Sequence, residues 1–337
     1  MRQVRSSLTY PTMGGLLLVA LLVGGGWGCG KKPLAAPNEL PALRLRTEHQ
    51  PNTPDAWVAL GKAYFAQKRY NDAFITYRRA IELDAKSFEA LYGLGECCYF
   101  LSDPQSGMEW AVKALARRPN SPAALGLRGR LKLAQSDVAG ALPDMEKAVA
   151  QDPAQLETRL ALVTVYRMQK RSDLALGQAV KMVQQYPQEG RAHYVCGSLL
   201  EEKGETAAAE AEYRGALKCD GKLVRAKYAL AHLLVRESHG LDEASRLAAE
   251  VAAEAEGDGT PAGLAAWALF RSGKQDEGLQ ALGRAYDQHK DNLQILVWIN
   301  QAATQMGKVE LANASAEAIR TLTTRRQAAG RSSSSTG

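Results

Sequence analysis

Small residues recur along the chain with a period of 34 positions, inside segments that are otherwise largely apolar. Four columns keep this spacing. They consist of Gly61, Gly95, Gly129 and Gly197; of Ala73, Gly107, Ala141, Ala175 and Ala209; of Ala80, Ala114, Ala148, Met182 and Ala216; and of Pro119, Pro153 and Pro187. A fixed period of this length is typical of stacked structural repeats, in which each unit is one supersecondary element. The spacing therefore predicts an array of similar units.

The columns divide most of the chain into eight units, each long enough for two helices. Their boundaries are 54–87, 88–121, 122–155, 156–189, 190–223, 224–258, 259–292 and 293–326. The sixth unit needs one extra residue near 238–240 to bring Ala244 into its column, and in the last three units Ala231, Ala266 and Asn300 replace the glycine. We number positions from the first residue of a unit and call its two predicted helices A and B.

Close packing explains why these positions are small. Small residues at positions 8 and 20 let helices A and B of one unit approach closely, and the residue at position 27 lets helix B pack on the next helix A. Proline at position 32 cannot continue helix B and ends it. No unit buries its apolar face alone, so we expect stability to come from the stacking of neighbours.

The first unit shows the pattern most fully, with Trp57, Leu60-Gly61, Tyr64, Ala73, Tyr77 and Ala80. This pattern resembles the tetratricopeptide repeat, in which an aromatic residue or leucine, Leu-Gly, tyrosine, alanine, an aromatic residue, alanine and proline follow in this order. The resemblance implies an all-α fold, a right-handed α-solenoid of about eight helix-turn-helix repeats over 54–326. It also implies that the A helices line a concave groove that binds protein or peptide partners.

The first 28 residues look like an export signal. Arg2 and Arg5 precede an apolar run over 16–23. The run is shorter than the roughly 20 residues of a membrane-spanning helix and has the length of a signal-peptide core. Gly28-Cys29 resembles the lipobox of bacterial lipoproteins, although Gly26 and Trp27 depart from its usual residues. The resemblance implies lipidation of Cys29, with ordinary secretion and a retained membrane anchor as alternatives.

The segments that flank the array have other compositions. Residues 29–53 are predicted to form a linker followed by a lone capping helix over 38–50. Residues 327–337 include a run of serines and are predicted to form a disordered tail.

Composition adds no catalytic chemistry to this picture. Of 337 residues, 46% are hydrophobic and 23% charged, as in ordinary globular proteins, and the net charge is only +6. There is no GxxxxGK[ST], HExxH or CxxC motif, and the repeats leave no segment for a catalytic domain. Cys97, Cys98 and Cys196 fall at core positions of their units. We therefore predict no enzyme activity, no cofactor and no metal site.

Positions 2, 5, 9, 12 and 13 of helix A line the groove in proteins with this repeat. Over the eight units these five positions comprise 40 residues, of which eight are aromatic, seven are basic and six are acidic. Aromatic enrichment is typical of protein interfaces, although positions 5 and 12 also suit packing between neighbouring A helices. The near balance of charge argues against a nucleic-acid partner. The predicted groove residues are Lys62, Phe65, Tyr92, Tyr99, Phe100, Arg130, Arg167, Tyr194, Tyr228, His232, Trp267 and Phe270.

These observations favour a non-catalytic interaction scaffold of the bacterial cell envelope. We expect an outer-membrane lipoprotein facing the periplasm, anchored through Cys29, that assists the assembly of an envelope complex by binding peptide segments. Gly30 favours the outer membrane, because aspartate commonly follows the lipidated cysteine in lipoproteins kept at the inner membrane. The alternatives are an adaptor for polysaccharide or peptidoglycan enzymes, an enzyme built on the solenoid, and a cytosolic co-chaperone.

Overall fold

The computed structural model describes residues 39–255 and 257–334, which contain seventeen helices and no strand. Helix α1 (Glu39–His49) precedes eight helix pairs. The A helices are α2 (Pro54–Ala66), α4 (Phe88–Phe100), α6 (Pro122–Ala134), α8 (Leu156–Met168), α10 (Gly190–Glu202), α12 (Val224–Glu237), α14 (Thr260–Arg271) and α16 (Leu293–Gln305). The B helices are α3 (Tyr70–Leu83), α5 (Pro104–Arg117), α7 (Val138–Gln151), α9 (Ser172–Gln185), α11 (Thr206–Cys219), α13 (Leu241–Glu254), α15 (Gln275–Gln288) and α17 (Val309–Ser334). The predicted α-solenoid of helical repeats is confirmed.

The helix boundaries follow the predicted period. The first six A helices begin at the first residue of their predicted units, from Pro54 to Val224. The extra residue of the sixth unit is also present, because α12 has 14 residues where the preceding A helices have 13. Serine and aspartate side chains cap several helix starts, as when Asp137 accepts a hydrogen bond from the backbone N–H of Gly140 at 2.8 Å.

The turn between helices A and B has a conformation that the sequence pattern did not predict. In most units three residues form this turn, and the middle one has a positive φ. The residues with positive φ in these turns are Lys68, Ser102, Ser136, Lys170, Gly204, Ser238, Gly240, Gly273 and Gly307. Left-handed backbone strains residues that have a Cβ. The serines and lysines in this set therefore carry local strain, which the packing of helices A and B outweighs.

The small-residue columns lie at the helix crossings, as predicted. Ala73, Ala80, Ala141 and Ala148 are fully buried. The ring of Tyr77 is 3% exposed and lies between two glycines, Gly61 on α2 and Gly93 on α4. A Cβ atom built on Gly61 would stand 2.7 Å from the Tyr77 ring, and one built on Gly93 would stand 2.5 Å from it. Glycine is therefore required at both places by the close approach of the ring.

The two ends of the array differ from the interior. Helix α1 packs on α2, with Leu40 and Leu43 against the buried apolar residues of the first two units and Arg44 Nε donating to the Tyr64 hydroxyl at 2.8 Å. At the other end the predicted disordered tail is wrong for residues 327–334, because α17 continues to Ser334. The sequence Gln327-Ala328-Ala329 consists of good helix formers, which permit this continuation.

The predicted signal at 1–28, the predicted lipidation site Cys29, most of the predicted linker and residues 335–337 lie outside the described residues. Within the described ranges, no helix has the length and apolar character needed to cross a membrane.

The array has two distinct faces. Successive A helices contact each other at most junctions, for example α2 with α4 and α12 with α14. Successive B helices show no comparably close approach in the part of the chain that is described. We call the surface formed by the A helices the A face and that formed by the B helices the B face. The closer spacing on the A face is the arrangement expected for the inner side of a solenoid.

Candidate functional site on the A face

Acid–base pairs connect the A face from one unit to the next. Each pair joins side chains that are 34 or 35 residues apart. The pairs are Glu96–Arg130, Glu157–Arg191 at 2.7 Å, Arg167–Glu202, and Glu201–Arg236 at 2.6 Å. The near neutrality expected from the sequence thus arises from pairing within the chain. The predicted groove residue Arg167, although exposed, is engaged in this way.

Arg130 lies in the core instead of on the groove surface. Its side chain is 3% exposed, pairs with the buried Glu96, and lies over the Tyr99 ring with 4.7 Å to the ring centre. A charge removed from water needs a partner of opposite charge nearby, and Glu96 supplies it. The prediction of Arg130 as a contact residue is therefore wrong.

The N-terminal end of the A face carries an aromatic cluster, which consists of Phe65, Tyr70, Tyr99 and Phe100. All four side chains are half-buried. The ring of Phe100 is stacked on Tyr70 at 4.7 Å between ring centres and meets Phe65 and Tyr99 edge-on at 5.5 and 5.3 Å. Burial, followed by the negative charge of Glu157, raises the pKa of Tyr70.

Two other predicted groove residues lie near the N-terminal end. Tyr92 is half-buried and its ring is stacked on Phe88 at 6.2 Å. Burial, and next the charge of Glu96, raise the pKa of the Tyr92 phenol. Lys62 is exposed and forms no ion pair with any described residue. Tyr194 lies further along the face, half-buried beside Tyr213 at 6.1 Å.

The C-terminal end of the A face contains a pocket of about 470 Å³ between α12, α14 and α16. It brings together three predicted groove residues, Tyr228, His232 and Trp267. The remaining lining residues are Val235, Arg236, Thr260, Leu264, Arg271, Gln294 and Trp298. The volume lies within the range of small ligand pockets, and it also suits one or two side chains of a peptide. We call this cavity the C-terminal pocket.

Apolar rings form the base of the C-terminal pocket and polar groups form its rim. Trp267 is 6% exposed and Trp298 is 8% exposed, so only a small part of each side chain is accessible from the pocket. The Arg271 guanidinium lies 5.7 Å from the Trp267 ring centre and donates to Ser238 Oγ at 2.7 Å. Within the described ranges Arg271 has no carboxylate partner. His232 is exposed, and its ring lies 6.4 Å from that of Tyr228.

Phe270 does not contribute to the pocket, so its prediction as a contact residue is wrong. It is 2% exposed and stacks on Trp267 at 5.2 Å between ring centres. Its backbone and Cβ lie against Gly278 of α15, where an added Cβ would stand 2.5 Å from the Phe270 backbone. Position 12 of the seventh unit is therefore a core position between helices A and B.

Several residues that complete these sites do not stand out in the sequence pattern. Leu264 and Trp298 both occupy position 6 of their units, which was not among the groove positions. Tyr70 is the first residue of a B helix. Position 6 is alanine or glycine in three of the first four units (Ala59, Gly93 and Ala161). A tryptophan at this position was the signal that would have indicated an altered surface.

The cysteines of the repeats are core residues with little thiolate character. Burial raises the pKa of Cys97 to about 12, that of Cys98 to about 11 and that of Cys196 to about 12. Cys219 is partly exposed. Among the residues that the structure describes, no group of three or more His, Cys, Asp or Glu side chains is arranged to hold a metal ion.

Comparison with known protein families matches the repeats. A family model described as TPR repeat matches residues 61–99, and one described as tetratricopeptide repeat matches residues 127–190 and 175–223. Tetratricopeptide repeats are therefore recognised over these residues. Proteins built from this repeat mediate protein–protein interactions, and repeat arrays use their extended faces for binding.

A curated relative and two solved structures illustrate the similarity. The cytochrome c-type biogenesis protein CycH of Pseudomonas aeruginosa is 30% identical over 174 residues, which are 45% of this chain and 42% of CycH. The structure of Pseudomonas aeruginosa PilF is 20% identical with a TM-score of 0.53, covering 61% of this chain and 93% of PilF. The APC/C hetero-tetramer Cut9–Hcn1 gives a TM-score of 0.57 at 10% identity, covering 85% of this chain and 56% of that chain. At these identities the two structures show the fold alone.

Proposed function

We propose that this protein is a non-catalytic interaction scaffold of the bacterial cell envelope. It assists the assembly of an envelope complex by binding a peptide segment of its partner on the A face. The observation that carries the proposal is the C-terminal pocket, which is lined by Trp267, Trp298 and an arginine, Arg271, that lacks a carboxylate partner among the described residues. Aromatic and arginine side chains around a pocket are the usual centre of binding energy at protein interfaces.

The chemistry of the pocket indicates what kind of segment binds. Its apolar base fits an aliphatic or aromatic side chain, and Arg271 fits a carboxylate next to that side chain. Nucleic acid is not the expected partner, because phosphate binding relies on arrays of available lysine and arginine. Arg167, Arg191 and Arg236 are already paired with acids along the A face.

The cellular location is part of the proposal. It is supported by the signal-like segment 1–28 and by Gly28-Cys29, which would anchor the protein through lipid and leave the repeats in the periplasm. The similarity to CycH, which is a cytochrome c-type biogenesis protein by name, supports a role in assembly.

The binding part of the proposal is tested by charge reversal at the pocket. Arg271→Glu replaces the base that would hold the partner's carboxylate, and Arg284→Glu makes the same change on an exposed residue of α15. Affinity capture from the native host after cross-linking, read by mass spectrometry, should recover the same partner with the wild type and Arg284→Glu. We expect Arg271→Glu to lose it, and equal recovery by both variants would contradict the proposal.

The location is tested separately by metabolic labelling with palmitate. The wild type should incorporate label and fractionate with the outer membrane, whereas Cys29→Ala should do neither. A wild-type product found soluble in the cytosol would refute the envelope assignment, and it would not bear on the proposed binding site.

A role in cytochrome c-type biogenesis, as the similarity to CycH suggests, is tested by deletion of the gene. The host should then contain less covalently haem-bound c-type cytochrome, restored by the wild type and not by Arg271→Glu. An unchanged cytochrome content would direct the search to another envelope complex.

A further inference from the structure

Three consecutive units place a basic residue where other units place an apolar one. The fourth residue of the A helix is Arg159 in α8, His193 in α10 and Lys227 in α12. In α4 and α6 the same place is taken by leucine, Leu91 and Leu125, both almost fully buried. Each of the three bases is directed at the B helix of its own unit, as its hydrogen bonds and ion pairs show.

In two of these units, acids on the B helix neutralise the base. His193 Nδ1 lies 2.7 Å from Glu212, the seventh residue of α11. Lys227 Nζ lies 2.8 Å from Glu250 and 3.7 Å from Glu254, the last residue of α13. The hydrogen bond to the Glu212 carboxylate raises the pKa of His193, and the hydrogen bond to the Glu250 carboxylate raises the pKa of Lys227.

Arg159 occupies the same place without an acid. The seventh and last residues of α9 are Gln178 and Gln185, and they face Arg159 through their amide oxygens at 3.1 and 3.5 Å. The third acceptor is the Pro153 carbonyl at 2.8 Å, and Nε has no hydrogen-bond partner among the described residues. The side chain is 3% exposed. Burial lowers the pKa of Arg159, opposite to the shift of the two paired bases.

A cavity of about 420 Å³ opens beside Arg159 on the B face. Helices α7 and α9 form its walls and α8 its base, with Arg159, Gln178 and Lys181 among the lining residues. One acid, Glu146, also lines the cavity and accepts a hydrogen bond from the Tyr166 hydroxyl at 2.7 Å. The cavity is therefore lined by two basic side chains, Arg159 and Lys181, and one acid, and the buried Arg159 has no acidic partner among the described residues.

A buried guanidinium that only neutral groups contact is costly, and a carboxylate is the group that best satisfies it. We propose that the cavity between α7 and α9 is a carboxylate-binding site, in which a ligand supplies to Arg159 the acid that Glu212 supplies to His193 and that Glu250 and Glu254 supply to Lys227. The ligand is an acidic side chain of a bound polypeptide or a small free dicarboxylate. The site is independent of the pocket on the A face.

The test uses small probes on the purified wild-type protein, by calorimetry and by the change in melting temperature. N-acetylglutamate α-methylamide carries one side-chain carboxylate, and N-acetylglutamine α-methylamide is its neutral counterpart. We expect saturable binding and a rising melting temperature with the first and neither with the second. Succinate in parallel separates a free dicarboxylate from an acidic side chain, and binding of either supports the site.

Two variants distinguish this site from adventitious binding. Gln178→Glu places an acid where Glu212 stands in the next unit, so it should weaken carboxylate binding about tenfold or more while preserving the fold. Arg159→Leu introduces the residue found at this place in α4 and α6 and should abolish binding. The proposal is refuted if no carboxylate probe binds the wild type, if Gln178→Glu binds as well as the wild type, or if inorganic phosphate binds and the carboxylates do not.

Discussion

The contact between Tyr77 and its two glycines allows a sharp test of how these repeats pack. The change is Gly93→Ala, which adds a single methyl group on α4. An ideal Cβ at this place stands 2.5 Å from Tyr77 Cζ and 2.6 Å from Cε2, well inside van der Waals contact. The ring has no room to move away, because the opposite edge is held against Gly61, where an added Cβ would stand 2.7 Å from Cε1.

Two opposing effects decide the size of the change. Replacing glycine by alanine inside a helix stabilises it by up to about 1 kcal/mol. Forcing an extra methyl group into a filled core costs about 1–3 kcal/mol. A control without the clash is Gly177→Ala in α9, where the new Cβ meets no atom within 4 Å. The two variants share the helix effect, so we expect Gly93→Ala to be less stable than Gly177→Ala by about 1–3 kcal/mol.

Urea unfolding followed by circular dichroism measures this difference. Hydrogen exchange should locate the loss in α2, α3 and α4, because each repeat depends on its neighbours. Adding Tyr77→Leu to Gly93→Ala should recover part of the stability, since the smaller side chain makes room for the methyl group. If Gly93→Ala unfolds at the same urea concentration as Gly177→Ala, the reasoning about close approach is wrong.

Three further predictions concern charge, backbone and thiols. The hydrogen bond from His193 to Glu212 raises the pKa of this histidine. Its stabilising effect is therefore complete below the unfolded-state pKa of about 6.5 and is lost as pH rises through the folded-state pKa. Urea titrations across this range should show a decline in the free energy of unfolding, and Glu212→Gln should flatten that decline. Lys170 has a φ of 58°, so Lys170→Gly should stabilise the protein by up to about 1 kcal/mol. Gly204 has a φ of 79°, so Gly204→Ala should destabilise the protein. Urea unfolding measures both changes. Iodoacetamide at pH 8 should leave Cys97, Cys98 and Cys196 unmodified in the folded protein, because burial raises their pKa values to about 12, 11 and 12. Mass spectrometry detects the modification. Rapid modification of the three cysteines would contradict their place in the core.

The fold was predictable because small residues at the helix crossings mark the boundaries and spacing of the repeat units. Two helices approach closely at Gly61, Gly129, Ala73 and Ala141, and only a small side chain fits there. The 34-residue period is therefore visible in the sequence. The left-handed turns were not predictable in the same way. Lys68 and Lys170 adopt positive φ without being glycine, because the packing of the two helices outweighs the local strain.

The candidate site was predictable only in part. A list of groove positions places residues on a helix face, but it does not show which of them find partners in the next unit. Arg130 was misjudged because its acid, Glu96, lies one full repeat away, and Phe270 because position 12 in that unit turns towards α15. Trp298 was missed because it occupies a position that is small in most other units.

The buried bases show the same dependence on distant positions. Comparison of Arg159 with His193 and Lys227 is possible from the sequence once the units are aligned. That Gln178 and Gln185 stand in the places of Glu212 and Glu254 acquires meaning only when the contacts between helices A and B are known.

The central claim is that a protein partner binds in the C-terminal pocket of the A face. The most direct measurement places a photo-cross-linking amino acid at Gln294, an exposed residue that lines this pocket, and at Arg284 on the B face as the matched control. After irradiation of living cells of the native host, we predict a discrete cross-linked product from position 294 that is absent from position 284 and identified as one envelope protein by mass spectrometry. No product at 294, or the same product from both positions, would contradict the account.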